Sequence, residues 1–298
     1  MIVQVFGQSG MLGSAVVRAL PQTGLVFEPR SADLELVTPG HIHADVVINC
    51  AGLVKQRAAS ASRFMLVNAV GPHRLAEACD QAHARLIHVS TDCVFYDGPS
   101  DEDDLPDPRD VYALSKLAGE VRCAPHLTIR TSFIGWGPRG LLHDLQGAAP
   151  VKVSHRLWWS GHTVDTVAGL LLLLATRPDV TGLLHVPGEA QTRANLAERL
   201  KTWFDLPAPL LVDDDSYVAN RRLRSVRWAA LDLPDPETPV GARGIGEPPV
   251  GAGCCAILNA LAAAVGDDAF RRMPVQADII LTALEAGHAV HEPLTANI

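Results

Sequence analysis

Long hydrophobic runs are missing from this 298-residue sequence, and no basic segment followed by an apolar one stands at its start. The longest apolar stretch, Ala168 to Ala175, is far shorter than the roughly 18 residues of a membrane-spanning helix. It therefore predicts a buried helix. The chain begins with a strand pattern rather than a secretory signal. We expect a cytoplasmic protein that has no membrane partner.

Paired cysteine motifs are also missing. The six cysteines are Cys50, Cys79, Cys93, Cys123, Cys254 and Cys255, and no two of them have CxxC spacing. This excludes the usual zinc and redox motifs and predicts reduced thiols. His41 and His43 form an HxH pair without a third ligand, so no metal site is predicted.

Clusters of positive charge are scarce in a chain of net charge -8. Arg221, Arg222, Arg224 and Arg227 form a short basic patch, which we interpret as a solvated helix face. Nucleic acid is therefore not an expected partner. With 48% hydrophobic residues the chain has enough apolar side chains for a sizeable core. Whether it forms a homodimer is left open by the sequence.

Strands alternate with helices over the first half of the chain. We predict strands at residues 2–6, 25–27, 44–49, 85–89 and 127–130, and helices at 11–20, 62–83 and 111–123. This alternation indicates an α/β fold, a Rossmann-type doubly wound parallel sheet with helices on both faces. Beyond Pro150 a strand at 182–186 and a helix at 193–204 predict a smaller C-terminal substrate-binding region folded over the sheet edge.

A glycine-rich turn joins the first strand to the first helix. Gly7 permits a tight turn, Gly10 a close approach of the backbone to a pyrophosphate, and Gly13 close helix–strand packing. This context predicts a dinucleotide site. Its cofactor-binding candidates are Gly7, Ser9, Gly10, Met11, Leu12 and Gly13.

The end of the second strand bears on the choice of cofactor. Arg30 and Ser31 stand where a 2′-phosphate would be held, which favours NADP(H). Glu28 suits a free 2′-hydroxyl, so NAD(H) remains open.

Tyr112 and Lys116 form a Tyr-x-x-x-Lys pair on one helix face. An ammonium beside a phenol lowers the phenol pKa, which suits general acid–base work near neutrality. Lys116 can also reach the ribose of a nicotinamide. A hydroxyl from Ser90-Thr91-Asp92, at the end of the fourth strand, could hydrogen-bond a substrate carbonyl.

These motifs resemble an extended short-chain dehydrogenase/reductase of the dTDP-4-dehydrorhamnose reductase type. The matching segments are residues 7–13, 44–52, 67–68, 88–95 (HVSTDCVF), 112–120 (YALSKLAGE) and 130–132. The resemblance implies a nucleotide-linked keto-sugar as substrate and Thr91, Tyr112 and Lys116 as catalytic residues. Further cofactor-binding candidates are Asn49, Ala51, Gly52, Asn68, Ser90, Tyr112 and Lys116. The substrate-binding candidates are Lys55, Thr91, Asp92, Phe133 and Ser160.

Two alternatives stay open. One is a nucleotide-sugar epimerase or dehydratase that recycles bound NAD, and the other is a non-catalytic NAD(P)-binding regulatory subunit. The acidic run Asp101 to Asp104 is interpreted as a solvated lid segment. Trp158 and Trp159 either stack on a nucleotide base or pack in the core.

The reductase pattern is expected to cover residues 1–236, with substrate binding mainly in 132–165 and 183–236. Residues 237–298 differ. The segments 244–249, 257–261 and 273–275 are similar to the C-terminal end of the molybdenum-binding subunit of xanthine dehydrogenase and aldehyde oxidase. Because the pterin-binding bulk is missing from the sequence, we expect Glu247 to be catalytically idle and no molybdenum cofactor to bind.

Overall fold

The computed structural model describes residues 1–29, 32–34, 36–55, 59–206 and 210–231. The strands are β1 (Ile2–Phe6), β2 (Val26–Glu28), β3 (Val46–Asn49), β4 (Arg85–Val89), β5 (Leu127–Arg130), β6 (Phe133–Ile134), β7 (Val151–Val153), β8 (Leu157–Trp159), β9 (His162–Thr163), β10 (Gly182–His185), β11 (Gln191–Thr192), β12 (Leu211–Asp213) and β13 (Ala219–Asn220). The helices are α1 (Met11–Ala19), α2 (Ala61–Met65), α3 (Gly71–Gln81), α4 (Val111–Ala118), α5 (Leu141–Gln146), α6 (Val164–Ala175) and α7 (Arg193–Phe204). The predicted tail, its boundary at residue 236 and Glu247 lie outside the described residues.

The central sheet has six strands in the order β10-β5-β4-β3-β1-β2, and every neighbouring pair is parallel. This confirms the predicted fold class. Successive side chains of a strand face opposite sides. Val46 and Ile48 accordingly enter a core shared with α1 and α6, whereas Val47 enters the core on the other face. Both faces are covered, which is why the strands are continuous apolar runs.

The predicted buried helix is confirmed as α6. The Thr163 hydroxyl accepts a hydrogen bond from Thr166 N at 3.2 Å and caps the helix. Leu170, Leu171 and Leu174 are almost fully buried, and α6 packs against α1. Among the described helices, none is long and apolar enough to cross a membrane.

Strand β10 corrects the predicted division of the chain. The strand predicted at 182–186 was expected to belong to the smaller region beyond Pro150, but β10 pairs in parallel with β5 and completes the central sheet. Leu183 and Leu184 are buried on opposite sides of that sheet. The smaller region consists of short two- and three-stranded sheets, β11-β8-β13, β12-β7 and β6-β9, with α5 and α7 around their own apolar cluster.

Helix α4 ends at Ala118, five residues earlier than predicted. A Cβ built on Gly119 would lie 1.9 Å from the Asn68 carbonyl oxygen, so the chain passes the neighbouring helix in direct backbone contact. Val121 is then held by the Thr128 hydroxyl, which hydrogen-bonds both its N–H and its carbonyl. The early end of α4 turns Glu120 inward.

Candidate active site

The glycine turn meets the geometric demands that the sequence implied. Gly7 has φ +77°, and a Cβ there would lie 2.6 Å from Ala51 N. A Cβ on Gly13 would lie 2.2 Å from the Gly7 carbonyl oxygen. Helix α1 then begins after Gly10 without a side-chain cap. Its first N–H groups are therefore available to a phosphate.

The other residues predicted around this turn divide into two groups. Ser9 is exposed, and Met11 lies near the backbone of Gly135 and Gly137, so both are at the mouth of the turn. Leu12 instead points into the core, where it is 4% exposed. Only its backbone is available to a cofactor. Arg30 and Ser31 lie outside the described residues.

Asn49 and Asn68 brace the loops that face the glycine turn. The Asn49 side chain accepts a hydrogen bond from Ala51 N at 3.0 Å and contacts His88 Nδ1 at 3.0 Å. Asn68 lies in a π-helical turn, Leu66–Val70, a feature frequent at functional sites. Its side-chain oxygen accepts a hydrogen bond from Leu53 N, and its side-chain nitrogen donates to the Leu53 carbonyl and to the Ser115 hydroxyl. Both asparagines thus shape the predicted cofactor site through the backbone of neighbouring loops.

Thr91, Tyr112 and Lys116 converge at the carboxyl ends of β3 and β4. Lys116 Nζ donates to the Val89 carbonyl at 2.7 Å and lies 3.8 Å from the Cβ position of Gly52. The Thr91 hydroxyl interacts with the phenol of Tyr112 and thereby favours the phenolate. The three side chains therefore face the loop that borders the glycine turn. In sequence, Tyr112 follows Thr91 by 21 residues and Lys116 follows it by 25.

The ionisation of Tyr112 differs from the sequence-based expectation. Burial is the main cause of a pKa above its usual value, and the nearby Cys93, Asp92 and Asp110 act in the same direction. The Lys116 ammonium rests on the Val89 carbonyl and is not what sets this pKa. Burial also lowers the pKa of Lys116 to about 8, against the opposing charge of Glu120. The phenol is therefore held protonated at neutral pH.

Lys55 and Asp110 frame the ring of Tyr112. Lys55 Nζ lies 5.5 Å from the ring centroid and 2.5 Å from Asp110 Oδ2. Asp110 also caps α4 by accepting from Ala113 N at 2.8 Å. Phe64 packs edge-on against the same ring, with the centroids 6.3 Å apart. Lys55, predicted to bind substrate, therefore lies beside the proposed catalytic phenol.

Arg221 lies near the candidate site, because its charge acts on both Asp92 and Asp110. The basic patch around it was interpreted as a solvated helix face, but residues 221–227 form no helix. Three of its four arginines are partly buried. The Arg221 charge opposes the rise that burial causes in the pKa of Asp92, and it also acts on Asp110. Its Nη2 donates to the Tyr217 hydroxyl, whereas its buried Nε has no hydrogen-bond partner among the described residues. A guanidinium with a free donor thus lies beside Asp92.

The remaining arginines of this patch also have defined contacts. Arg222 stacks on Trp158, with Cζ 4.5 Å from the ring centroid. Arg227 donates to the carbonyls of Leu183 and Thr181. Only Arg224 is exposed.

A cleft of about 560 Å³ opens beside the basic patch, because Trp158 and Asn220 are among its lining residues. Its lining residues combine cationic and aromatic side chains: Tyr96, Asp97, Arg109, His155, Arg156, Trp158, Ser216, Val218, Ala219 and Asn220. Arg109 stacks on Tyr96 at 3.8 Å from the ring centroid. The positive charge contrasts with the net negative charge of the chain.

The two neighbouring tryptophans, Trp158 and Trp159, have different surroundings. Trp158 lines the cleft, whereas Trp159 donates to the Ser132 hydroxyl at 2.8 Å and packs in the smaller core. Ser160 is 3% exposed and its hydroxyl accepts from Leu223 N, so it supports the fold of this region. Phe133 on β6 is half-buried and packs against the core that α1 and α6 share.

The acidic loop, Asp101 to Asp104, is held to the rest of the fold by hydrogen bonds and is not solvated along its whole length. Glu102 accepts hydrogen bonds from the N–H groups of His185 and Val226 and from the Ser225 hydroxyl. It therefore joins the loop to the segment that follows Arg221. Within the described ranges, no group of three or more His, Cys, Asp or Glu side chains has a metal-binding arrangement.

Comparison with known proteins assigns about two thirds of the chain to one family. The family model described as "RmlD substrate binding domain" matches residues 1–201. The chain belongs to this family, which confirms the resemblance stated from the motifs.

Several of its relatives are named reductases. The dTDP-4-dehydrorhamnose reductase of Escherichia coli K12 is 29% identical over 237 residues, which cover 70% of this chain and 76% of the relative. The enzyme of that name from Mycobacterium tuberculosis is 39% identical over 156 residues, 46% of this chain and about half (51%) of the relative. A solved dTDP-4-dehydrorhamnose reductase from Bacillus anthracis, in complex with NADP, superimposes with a TM-score of 0.65 at 20% identity. The match covers 75% of this chain and 89% of that one.

Proposed function

We propose that this protein is an NADP(H)-dependent oxidoreductase that reduces the keto group of a nucleotide-linked sugar. The observation that carries the proposal is the convergence of Thr91, Tyr112 and Lys116 beside a loop that contacts the glycine turn. The family assignment and the reductases among the relatives support it.

The cofactor site fits a dinucleotide because its two critical glycines have no room for a Cβ and the uncapped start of α1 follows them. NADP(H) is favoured over NAD(H) by Arg30 and Ser31 in the sequence and by the NADP bound to the B. anthracis reductase. When bound, the reduced nicotinamide supplies the hydride equivalent that the carbonyl carbon accepts. Lys116 is suited to hold the nicotinamide ribose from the Val89 edge of the sheet.

Tyr112 is proposed as the proton donor. As the carbonyl carbon is reduced, negative charge develops on the carbonyl oxygen, and the phenol transfers its proton to that oxygen. The raised pKa of Tyr112, caused mainly by burial, keeps the proton available. The Thr91 hydroxyl donates a second hydrogen bond to the same oxygen.

The nucleotide part of the substrate fits the neighbouring cleft. A diphosphate needs cationic donors, and Arg109 and Arg156 line the cleft. Trp158 and Tyr96 offer aromatic faces to a base or sugar. Arg221, with its free Nε–H beside Asp92, lies near the same cleft through its neighbour Asn220. We assign Lys55, Asp92 and Phe133 to the sugar end, and we propose that the reaction takes place in the cytoplasm.

The test is NADPH consumption by the purified full chain with a dTDP-4-keto-6-deoxy sugar, followed at 340 nm, with NADH in parallel. Tyr112→Phe should lower kcat by about 100-fold or more, the usual scale of a general acid. Tyr96→Phe is the matched control because it also loses one phenolic hydroxyl but keeps the ring against Arg109. Conversion of the sugar without NADPH consumption would instead support the epimerase or dehydratase alternative. Unaltered turnover in Tyr112→Phe would refute the proposed role of the phenol.

A further inference from the structure

Glu120 is a buried carboxylate at the end of the segment that carries Tyr112 and Lys116. Its side chain is 1% exposed. It accepts hydrogen bonds from Arg130 Nε at 2.8 Å and Nη2 at 2.9 Å, which is a bidentate pair. Arg122, from the more exposed side, donates to the same carboxylate at 2.6 Å. Although burial opposes it, these hydrogen bonds lower the pKa of Glu120, so it is ionised at neutral pH.

The remaining partner of Glu120 is Ser90, whose hydroxyl donates to Oε1 at 2.8 Å. Ser90 immediately precedes Thr91 and is 4% exposed. The predicted cofactor contact of Ser90 stays a prediction, and in the structure its hydroxyl points to Glu120. Glu120 therefore connects the turn that carries Thr91 to the chain segment that carries Tyr112 and Lys116.

The other end of the network is fixed as well. Arg130 is completely buried, and its Nη1 lies 3.1 Å from His185 Nε2 on β10. Burial lowers the pKa of His185, so the neutral ring accepts from Arg130 and donates from Nδ1 to the Arg224 carbonyl at 2.9 Å. Glu120 is thus held by groups that belong to the rigid sheet.

We propose that Glu120, acting through the hydroxyl of Ser90, is a positioning residue that fixes Thr91 relative to Tyr112 and Lys116. The expected effect on kcat rests on the proposed function, whereas the expected effect on the position of Thr91 does not. A carbonyl oxygen must meet two donors that come from different parts of the chain. Glu120 belongs to the segment of one donor, Tyr112, and bonds directly to the residue that precedes the other, Thr91.

Ser90→Ala is the sharpest probe. Glu120→Gln would leave the buried guanidinium of Arg130 without its counter-ion, and such a variant can fail to fold for that reason alone. Ser90→Ala removes one neutral hydroxyl and leaves the Glu120–Arg130 pair intact. Thr192→Val is the matched control, because Thr192 is buried to a similar degree (5% exposed) and its hydroxyl accepts one hydrogen bond, from Asn195 N, away from the site.

Two measurements are made on both variants. The first is amide hydrogen exchange of residues 90–94 in the ligand-free protein, where Cys93 N donates to the Thr91 hydroxyl. The second is steady-state kinetics with NADPH and the dTDP-4-keto-6-deoxy sugar. In Ser90→Ala we expect exchange to be about tenfold faster in this segment and kcat about tenfold lower, with KM for NADPH within about twofold of the wild-type value. Thr192→Val should show neither change.

The outcomes separate the two hypotheses. If exchange at 90–94 is unaltered in Ser90→Ala, or is altered equally in Thr192→Val, the positioning role is wrong. A wild-type protein that does not consume NADPH with any keto-sugar overturns the proposed function, and the exchange experiment still decides the role of Glu120. Faster exchange combined with full kcat would also contradict the inference.

Discussion

Gly13→Ala is the substitution for which the structure makes the strongest statement about the cofactor site. An alanine Cβ at this position would lie 2.2 Å from the Gly7 carbonyl oxygen, 2.7 Å from its carbonyl carbon and 2.9 Å from Gln8 Cα. Ordinary van der Waals contacts begin at 3.4 Å, so the carbonyl oxygen would have to move by about 1.2 Å (3.4 − 2.2). All three contacts are backbone atoms of the turn itself. No side-chain rotation can relieve them.

The expected effect opposes helix propensity. Replacing a helical glycine by alanine stabilises a helix by about 1 kcal/mol when nothing obstructs the methyl group. In Gly13→Ala the methyl displaces the turn relative to α1 instead. A misplacement of about 1 Å costs on the order of 100-fold in rate, so we expect kcat/KM for NADPH to fall by about that factor. Thermal stability should fall as well.

Gly169→Ala is the matched control. Gly169 is exposed in the middle of α6, and a Cβ there meets no atom within 4 Å. This variant should gain about 1 kcal/mol in the free energy of unfolding, measured in urea, and keep wild-type kinetics. If Gly13→Ala binds NADPH with wild-type affinity in a fluorescence titration, the close packing at the turn does not have the role argued for it.

Three further predictions concern charged groups. Because burial lowers the pKa of Lys116 from 10.5 to about 8, its ammonium is present below that pH and lost above it; kcat/KM in the free enzyme should therefore decline above about pH 8, and a profile flat to pH 9.5 would contradict this. Arg221→Ala should raise KM for the nucleotide sugar by about tenfold, on the scale of a charge-assisted hydrogen bond, whereas the exposed Arg224→Ala should not, as initial rates would show. Glu102→Ala removes three hydrogen bonds and should lower the free energy of unfolding in urea by about 2 kcal/mol, while a loss of equal size in the exposed Asp103→Ala would refute a specific role for Glu102.

The features that the sequence predicted correctly depend on local patterns. The strand at 2–6, the glycine turn and the helix at 193–204 are each contained in a short window, where periodicity and glycine spacing act directly. The candidate catalytic pair came from a local pattern too, because a tyrosine and a lysine four residues apart share a helix face; its catalytic role stays a prediction. The family resemblance then supplied the partner hydroxyl at Thr91.

The features that were missed depend on contacts between distant segments. Glu102 bonds Val226 across 124 residues, and no local pattern marks such a pair. Arg221 was assigned to a solvated face because a run of arginines is usually exposed, whereas its electrostatic effect on Asp92 depends on the packing of distant segments of the chain. Strand β10 was assigned to the wrong region since a short apolar strand does not reveal which sheet it joins. Its neighbour, β5, lies more than 50 residues earlier.

The electrostatics of the site bear on the direction of the reaction. An enzyme that begins by oxidising a sugar hydroxyl needs a phenolate as base, whereas one that begins by reducing a ketone needs a phenol as acid. Burial together with Cys93, Asp92 and Asp110 raises the pKa of Tyr112, and the hydrogen bond from Thr91 is the opposing influence. The ammonium that could have reversed this balance rests on the Val89 carbonyl instead. The same groups keep the phenol protonated at neutral pH, which is the form that a reduction needs at its start. They also make the phenol a weaker acid, so it gives up its proton only because the alkoxide that develops on the substrate is the stronger base.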